Sequence, residues 1–212
     1  MQADDAAAID QALMLEVKQG STEAFAELVA RHNAGLINFF YRSLRDRQLA
    51  EDFAQEVLVR LFRAAESYSP EAKFTTFLYR IAKNYLIDHF RSQSIRPHPL
   101  SLDGATGAGE DGPGGEPTRL VDVLPGKGRA PESPLESLEL GELIMDAIDQ
   151  LPLEHRMVFL MSEVEEMRYQ DIAEALEIPV GTVKSRMHTA YHRLRELLKE
   201  LGPYLDEIEE ES

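Results

Sequence analysis

The sequence predicts an all-α protein of two small helical domains joined by a flexible linker, the C-terminal one a helix-turn-helix domain. Apolar residues recur at the spacing of amphipathic helices over residues 21–92 and again over 138–199. Between these stretches, residues 93–137 are crowded with glycine and proline. In the second stretch, a short helical pattern, a tight turn and a longer helical pattern follow one another. Residues 1–20 are interpreted as an N-terminal extension and residues 200–212 as an acidic tail.

The composition excludes several kinds of site. The 212 residues include no cysteine, which rules out disulfides, thiol nucleophiles and thiolate metal ligands. No apolar run approaches the roughly 20 residues of a membrane span, so membrane insertion is not expected. The first residues are acidic and lack the basic start of a signal peptide, so we expect a cytoplasmic protein.

The net charge of −16 is unevenly distributed. Residues 138–178 carry eleven acidic and two basic side chains, and the tail after residue 198 is acidic as well. Residues 179–198 instead carry four Lys or Arg and one Glu, which leaves a cationic helix inside an acidic chain. This distribution weakens nonspecific affinity for nucleic acid but leaves a local footprint for it.

The first domain, residues 21–92, is predicted to contain three to four helices. In the N-terminal extension, a helix from about Ala6 to Gln19 is expected to stop at Gly20, and Ser21 has the character of an N-cap for the next helix. On the mostly apolar side of that helix, His32 is interpreted as structural, since no second ligand stands at metal-binding spacing. Residues 44–49 are short and polar and are predicted to form a loop.

Two amphipathic helices, joined by a turn at Glu66–Lys73, are predicted between Leu49 and Ser92. The expected buried stripes are Phe53, Val57, Leu61 and Phe62 on the first helix, and Phe77, Leu78, Ile81 and Tyr85 on the second. Another face of the first helix brings together Asp52, Gln55 and Glu56. Taken alone, this acidic face is compatible with an ordinary solvated surface or with a binding surface.

The second of these helices has a basic face interleaved with aromatic residues. Cations neutralise phosphates, while rings and amides hold unstacked bases, a combination that suits single-stranded nucleic acid better than duplex. The face comprises Thr76, Arg80, Lys83, Asn84, Ile87 and Arg91, and the aromatic residues nearby are Phe74, Phe77, Tyr79, Tyr85 and Phe90. Of these rings, Phe77 and Tyr85 are expected in the core.

The second domain is predicted to hold a helix-turn-helix, with Tyr169–Leu176 as the short helix, Glu177–Pro179 as the turn and the longer helix from Val180 onward. The longer helix is expected to direct Val183, Met187, Ala190, Leu194 and Leu197 to the core. Its first turns present hydroxyls and cations outward, as docking in a DNA major groove requires. The pattern therefore predicts binding to duplex DNA.

Together these blocks resemble the bacterial sigma factors of the extracytoplasmic-function (ECF) group. The block AEDFAQEVLVRLFRA is similar to the family's core-polymerase-binding helix, and FTTFLYRIAKNYLIDHFR to its promoter-melting and minus-ten-recognition helix. The block LPLEHRMVFLMSEVEEMRYQDIAEALEIPVGTVKSRMHTAYHRLRE is similar to its minus-thirty-five-binding domain. The resemblance covers both domains in the family's order, and the first-domain blocks make it specific.

The resemblance implies an alternative sigma factor that binds core RNA polymerase and directs it to promoter DNA. It implies an anti-sigma factor as a further partner, and no cofactor, metal or catalytic residue. The polymerase contacts it implies are Asp52, Gln55 and Glu56. The minus-ten contacts, including a pocket for a flipped base, are Phe74, Thr75, Thr76, Arg80, Lys83, Asn84, Asp88 and Arg91. The minus-thirty-five contacts are Thr182, Lys184, Ser185, Arg186 and Thr189.

The chain departs from the family's pattern in its long, glycine-rich linker and in its lack of tryptophan, for which Phe74 or Phe77 must serve. The acidic segment Glu163–Glu166 is either a docking surface for an inhibitory partner or a solvated face. The alternative function is a stand-alone helix-turn-helix regulator of duplex DNA, which needs neither the acidic face nor the basic-aromatic helix. An enzyme is disfavoured, because the sequence shows no metal-ligand spacing, nucleophile elbow or phosphate loop.

Overall fold

The computed structural model describes residues 2–92 and 134–200, and within these ranges every regular element is helical. The expected linker up to residue 133 and the acidic tail from residue 201 lie outside the described residues. Among the described helices, none combines the length and the apolar character that crossing a membrane requires. The elements are α1 Gln2–Lys18, α2 Thr22–Leu44, α3 Arg47–Arg63, a 3-10 turn Ala65–Ser67, α4 Phe74–Ser92, α5 Pro134–Asp149, α6 Leu153–Glu163, α7 Tyr169–Leu176 and α8 Val180–Glu200.

Local capping sets the helix boundaries of the first domain. The Ser21 hydroxyl accepts a hydrogen bond from the Ala24 amide at 3.1 Å, as the predicted N-cap requires. The chain then breaks between α2 and α3 in two residues, since Arg45 adopts a left-handed conformation (φ 58°) and Asp46 caps Leu49 at 3.0 Å. This connection is tighter than the predicted loop at 44–49.

The core of the first domain lies where α1, α2, α3 and α4 meet, and α1 is an integral part of it. Met14 and Val17 of α1 are buried in this core. Rings of the other helices pack edge to face in it, for example Phe39 with Tyr79 at 5.3 Å. Phe62 differs from the prediction: it is 43 % exposed, while its neighbour Leu61 is fully buried. One residue of helix turns a side chain by about 100°, so the stripe through Leu61 leaves Phe62 at the surface.

The second domain packs α5, α6, α7 and α8 around a core centred on Phe159, Leu160 and Met161. The predicted turn of the helix-turn-helix forms at Glu177, whose φ of 58° lets the Ile178 amide donate to the Ala173 carbonyl at 3.0 Å. Two boundaries differ from the prediction. Helix α5 begins at Pro134, inside the expected linker, and the last buried leucine of α8 is Leu198 rather than Leu197.

Candidate nucleic-acid interface

The predicted acidic face lies on the outside of α3. Asp52 and Gln55 are exposed, and the partly exposed Glu56 accepts a 2.8 Å hydrogen bond from the Arg60 guanidinium one turn later. Val59 is 38 % exposed and Phe62 43 % exposed, so large apolar side chains are exposed on the same helix as the carboxylates. We call Asp52, Gln55, Glu56, Val59 and Phe62 the α3 surface. The sequence reading assigned Phe62 to the core and therefore missed it as a candidate contact.

The residues predicted to contact the minus-ten element do not all lie at the surface. Asn84, Asp88 and Arg91 are exposed along α4, and Thr75 and Arg80 are partly exposed. The Arg80 guanidinium lies over the Phe77 ring, 5.3 Å from its centroid. The other three residues of the set, Phe74, Thr76 and Lys83, are buried at 1 %, 2 % and 9 % exposure.

Phe74 lies in the core beside a polar cluster on α1 and α2. Its ring lies 4.8 Å from the His32 ring, centroid to centroid, and the His32 Nε2 is 2.9 Å from the Asp10 carboxylate. That carboxylate also accepts a 2.6 Å bond from the Arg31 guanidinium. Burial raises the pKa of Asp10, but the hydrogen bonds and charges of His32 and Arg31 outweigh it, and the pKa lies below 3.8. His32 is thus structural, as its lone position indicated.

The second domain covers the middle of α4 through ion pairs. The Lys83 ammonium donates to Glu177 at 2.9 Å, and Lys73, just before α4, pairs with Asp171 at 2.7 Å. Both carboxylates belong to the helix-turn-helix, Asp171 in α7 and Glu177 at its C-terminal end. The bond from Lys83 lowers the pKa of Glu177 and so keeps that carboxylate ionised. We call Lys73, Lys83, Asp171 and Glu177 the interdomain ion pairs.

Glu165, in the segment that joins α6 to α7, lies in the same interface between the two domains. The Tyr79 hydroxyl donates a hydrogen bond to it, and a Cβ atom added at Gly35 of α2 would lie 3.2 Å from its Oε2. Burial raises the pKa of Glu165, against the lowering effects of the Tyr79 bond and of the Arg42 and His32 charges. Of the acidic segment Glu163–Glu166, this residue therefore docks against the chain's own first domain, which neither of the two sequence interpretations anticipated.

A second set of contacts joins the domains at the C-terminal end of α2. The Arg156 guanidinium donates to the Ser43 carbonyl at 2.9 Å and pairs with Asp149 at 2.8 Å. Arg45, the left-handed cap residue, pairs with Asp146 of α5. Among the described residues, the interface therefore has contacts at two places, one over α4 and one at the end of α2.

The face of α8 predicted to read duplex DNA is largely open. Lys184, Ser185 and Thr189 are exposed, and Thr182 is partly exposed. Ser185 donates to the Thr182 carbonyl at 3.0 Å, a local bond that leaves the hydroxyl oxygen free to accept. Arg186 is the exception, because its guanidinium pairs with Glu154 of α6 and its side chain is only 21 % exposed.

The two cationic surfaces, on α8 and on α4, differ in how far their basic side chains are exposed and unpaired with carboxylates. The predicted face of α8 is largely exposed, whereas Lys83 on the basic face of α4 is paired with Glu177 at the end of α7. Carboxylates pair with the same cationic groups that bind phosphates. The sequence reading missed Lys73, Asp171 and Glu177, because the signal needed to find them is the packing of two distant segments.

Comparison with known proteins identifies both domains. Residues 28–95 match the family model described as Sigma-70 region 2, and residues 141–200 match Sigma-70, region 4. The chain is 35 % identical to the ECF RNA polymerase sigma factor SigW of Bacillus subtilis, over 88 % of this chain and 95 % of that one. It is 33 % identical to the ECF RNA polymerase sigma-E factor of Haemophilus influenzae, over 91 % and 96 % of the two chains.

Solved structures support the same fold. The structure of CnrH in complex with the cytosolic domain of CnrY superposes with a TM-score of 0.63, at 21 % identity over 91 % of this chain and 98 % of that one. The sigma factor RpoE from Bartonella quintana, solved with the anti-sigma factor NepR, gives a TM-score of 0.59 at 20 % identity, covering 84 % and 98 %.

Proposed function

We propose a division of work among the described surfaces, given that this chain belongs to the ECF family of RNA polymerase sigma factors. It is an alternative sigma factor that directs RNA polymerase to promoters, and its family consists of transcription-initiation factors. The assignment of individual residues, the absence of any catalytic activity and a cytoplasmic location are parts of our proposal. The observation that carries it is an exposed α3 surface beside a cationic α4 in one domain, followed by a helix-turn-helix.

The α3 surface is our candidate for the contact with core polymerase. Exposed apolar side chains next to carboxylates favour a protein partner, since burial of Val59 and Phe62 gives affinity and the charges of Asp52 and Glu56 give orientation. An acidic patch repels DNA, which keeps this side of the domain away from the promoter.

The exposed part of α4 is our candidate for the melted minus-ten element. Arg80 and Arg91 supply charge for the backbone, and Asn84 supplies donors and an acceptor for a base edge. Extrusion of a base costs a few kcal/mol of unstacking. The free energy of polymerase binding is therefore needed to make this step favourable.

Full contact of α4 with the promoter requires the two domains to separate. Lys83 has 11 % of its side chain exposed and is paired with Glu177, so it reaches a phosphate only after that pair breaks. Polymerase would hold the domains apart, and a promoter phosphate would then replace the Glu177 carboxylate beside Lys83. The described arrangement is thus the state of the free protein in our proposal.

The α8 surface is our candidate for the minus-thirty-five duplex. Thr182, Lys184, Ser185 and Thr189 lie on its first turns, where a recognition helix enters the major groove. Arg186 joins them if its pair with Glu154 opens. The CnrH and RpoE structures contain CnrY and an anti-sigma factor, respectively, and we propose a protein inhibitor for this chain as well.

The test is co-elution of the purified full-length protein with bacterial core RNA polymerase, followed by run-off transcription on fragmented genomic DNA. Stable binding with new, discrete transcripts is the expected result, and the transcripts reveal the promoter sequences. Absence of binding to core, together with tight binding of the protein alone to duplex DNA, would favour the stand-alone regulator.

A further inference from the structure

The connection between α3 and α4 is mostly exposed, and its own hydrogen bonds join residues at most four positions apart. We call residues 64–73 the connecting loop. Its residues Glu66, Ser67, Ser69, Pro70 and Glu71 are exposed, and only Ala65 and Tyr68 are buried. Within the loop, the Tyr68 hydroxyl donates to the Ala72 carbonyl at 3.3 Å, and the 3-10 turn closes its start. A short exposed segment of this kind needs outside contacts to hold one conformation.

Helix α1 supplies such contacts to the connecting loop. The Lys18 ammonium donates to the Tyr68 carbonyl at 2.9 Å, and the Gln11 amide donates to the Pro70 carbonyl. These donors are separated by two turns of α1 and bond to carbonyls two residues apart in the loop. The ring of Tyr68 itself is 1 % exposed and contacts the Phe77 ring of α4 at 5.3 Å.

The position of α1 is itself firmly determined. Met14 and Val17 anchor it in the core, and Asp10 is bonded to both Arg31 and His32 of α2. His32 contacts the ring of Phe74, the first residue of α4. Helix α1 therefore contacts the connecting loop directly, through Gln11 and Lys18. It contacts the start of α4 indirectly, because Asp10 bonds to His32 and His32 contacts Phe74.

We propose that α1 positions the connecting loop and that Gln11 and Lys18 thereby tune selectivity for the minus-ten bases. This inference rests on the proposed role of α4, because the loop leads directly into the first turn of that helix, where Thr75 is partly exposed. Neither Gln11 nor Lys18 contacts DNA in this scheme. They are positioning residues, which fix the loop carbonyls and so the place where an extruded base meets the protein.

The experiment uses holoenzyme assembled from core polymerase and the full chain. The variants are Gln11→Met and Lys18→Met, singly and together, each of which removes a donor and keeps a side chain of similar length. Gln19→Met is the matched control, since Gln19 carries an exposed amide one residue beyond the end of the same helix. Lys18→Arg keeps a charged donor and serves as the conservative variant.

The measurements are affinity for core polymerase and affinity of the holoenzyme for forked minus-ten DNA with each base substituted in turn. The promoter sequence comes from the run-off transcripts, and 2-aminopurine at the non-template position reports base extrusion by its fluorescence. For the double variant we expect core affinity within about twofold of the parent. Discrimination between preferred and other bases should fall by about fivefold or more, the effect of losing one or two hydrogen bonds. Lys18→Arg should restore most of it.

Four outcomes decide between the inference, its alternatives and the proposed function. Unchanged base discrimination in the double variant would overturn the inference, as would an equal loss in Gln19→Met. A uniform loss of affinity for every sequence, with discrimination kept, would mean that α1 only stabilises the domain, which also overturns it. Failure of the parent protein to bind core polymerase would instead refute the proposed function, so the two failures are distinguishable.

Discussion

Neutralising the carboxylates of the interdomain ion pairs should release the basic face of α4 in the free protein. The variant is Asp171→Asn with Glu177→Gln, which removes two charges from the second domain and alters no residue proposed to contact DNA. Lys73 and Lys83 lose their partners at 2.7 Å and 2.9 Å. The Tyr79–Glu165 hydrogen bond and the contacts at the end of α2 remain, so both domains should stay folded.

The magnitude follows from the exposure of the partners. In each pair one side chain is well buried and the other is not: Lys83 is 11 % exposed against 62 % for Glu177, and Asp171 18 % against 35 % for Lys73. Solvent screening by the exposed partner limits each pair to about 1 kcal/mol. Loss of both ion pairs weakens the closed arrangement, in which the domains are in contact, by about 2 kcal/mol. The ratio of this arrangement to the open one, in which the domains are apart, then changes by about 30-fold. Affinity for single-stranded minus-ten DNA can rise by at most the same factor.

The assay combines a distance and an affinity. The absence of cysteine from the chain allows spin labels to be placed without background, for example at Gln48→Cys and His188→Cys, which are exposed positions in different domains. The double variant should show a longer and broader distance distribution and tighter binding of a fluorescent minus-ten strand. Glu174→Gln, an exposed carboxylate on α7, is the control. Unchanged distance and affinity relative to that control would refute the argument that these pairs hold the domains together.

Three further predictions address the α3 surface, the exposed face of α8 and the buried Asp10. Asp52→Arg with Glu56→Arg should abolish co-elution with core polymerase while the circular dichroism spectrum stays that of the parent; normal binding by the folded variant would contradict the assignment of the α3 surface. Lys184→Ala should weaken binding to minus-thirty-five duplex and reduce its salt dependence by about one counterion, whereas binding to a minus-ten strand should not change. Asp10→Asn should lower the free energy of unfolding by about 1.5–3 kcal/mol at pH 7, because two bonds to a charged group are weakened. Since the folded-state pKa of Asp10 lies below 3.8, its contribution is full above that value and is lost as the pH falls through the folded value. Chemical denaturation across pH 2–6 should therefore show a steeper loss of stability on acidification in the parent than in the variant.

Much of the local structure could be predicted from the sequence, because it depends on neighbouring residues. Ser21 was predicted to cap α2 and does so, and the short helix Tyr169–Leu176 has the predicted bounds. The family resemblance is confirmed by matches to both regions. The assignment of Phe62 was wrong because two adjacent apolar residues left the choice of the buried one to the packing of α2 against α3.

The surroundings of the site could not be predicted in the same way. The pattern on α4 identified Lys83 as part of a cationic face, but it could not show that Lys83 pairs with Glu177, a residue in another domain beyond the linker. Likewise, the donors of Lys18 and Gln11 reach loop carbonyls that carry no side-chain signal at all. Contacts between distant segments, and contacts to main-chain atoms, leave little trace in local periodicity.

The dual use that we propose for the cations around α4 limits how the protein's activity can be raised. A lysine added beside Lys73 and Lys83 would attract promoter phosphates, but it would equally attract the carboxylates of α7. Selection or engineering for tighter promoter binding would thus also stabilise the arrangement in which the two domains are in contact. The gain in transcription would therefore be smaller than the gain in DNA affinity. Substitutions in α7 escape this trade-off, so the helix-turn-helix domain is the place from which the activity of the first domain can be adjusted independently.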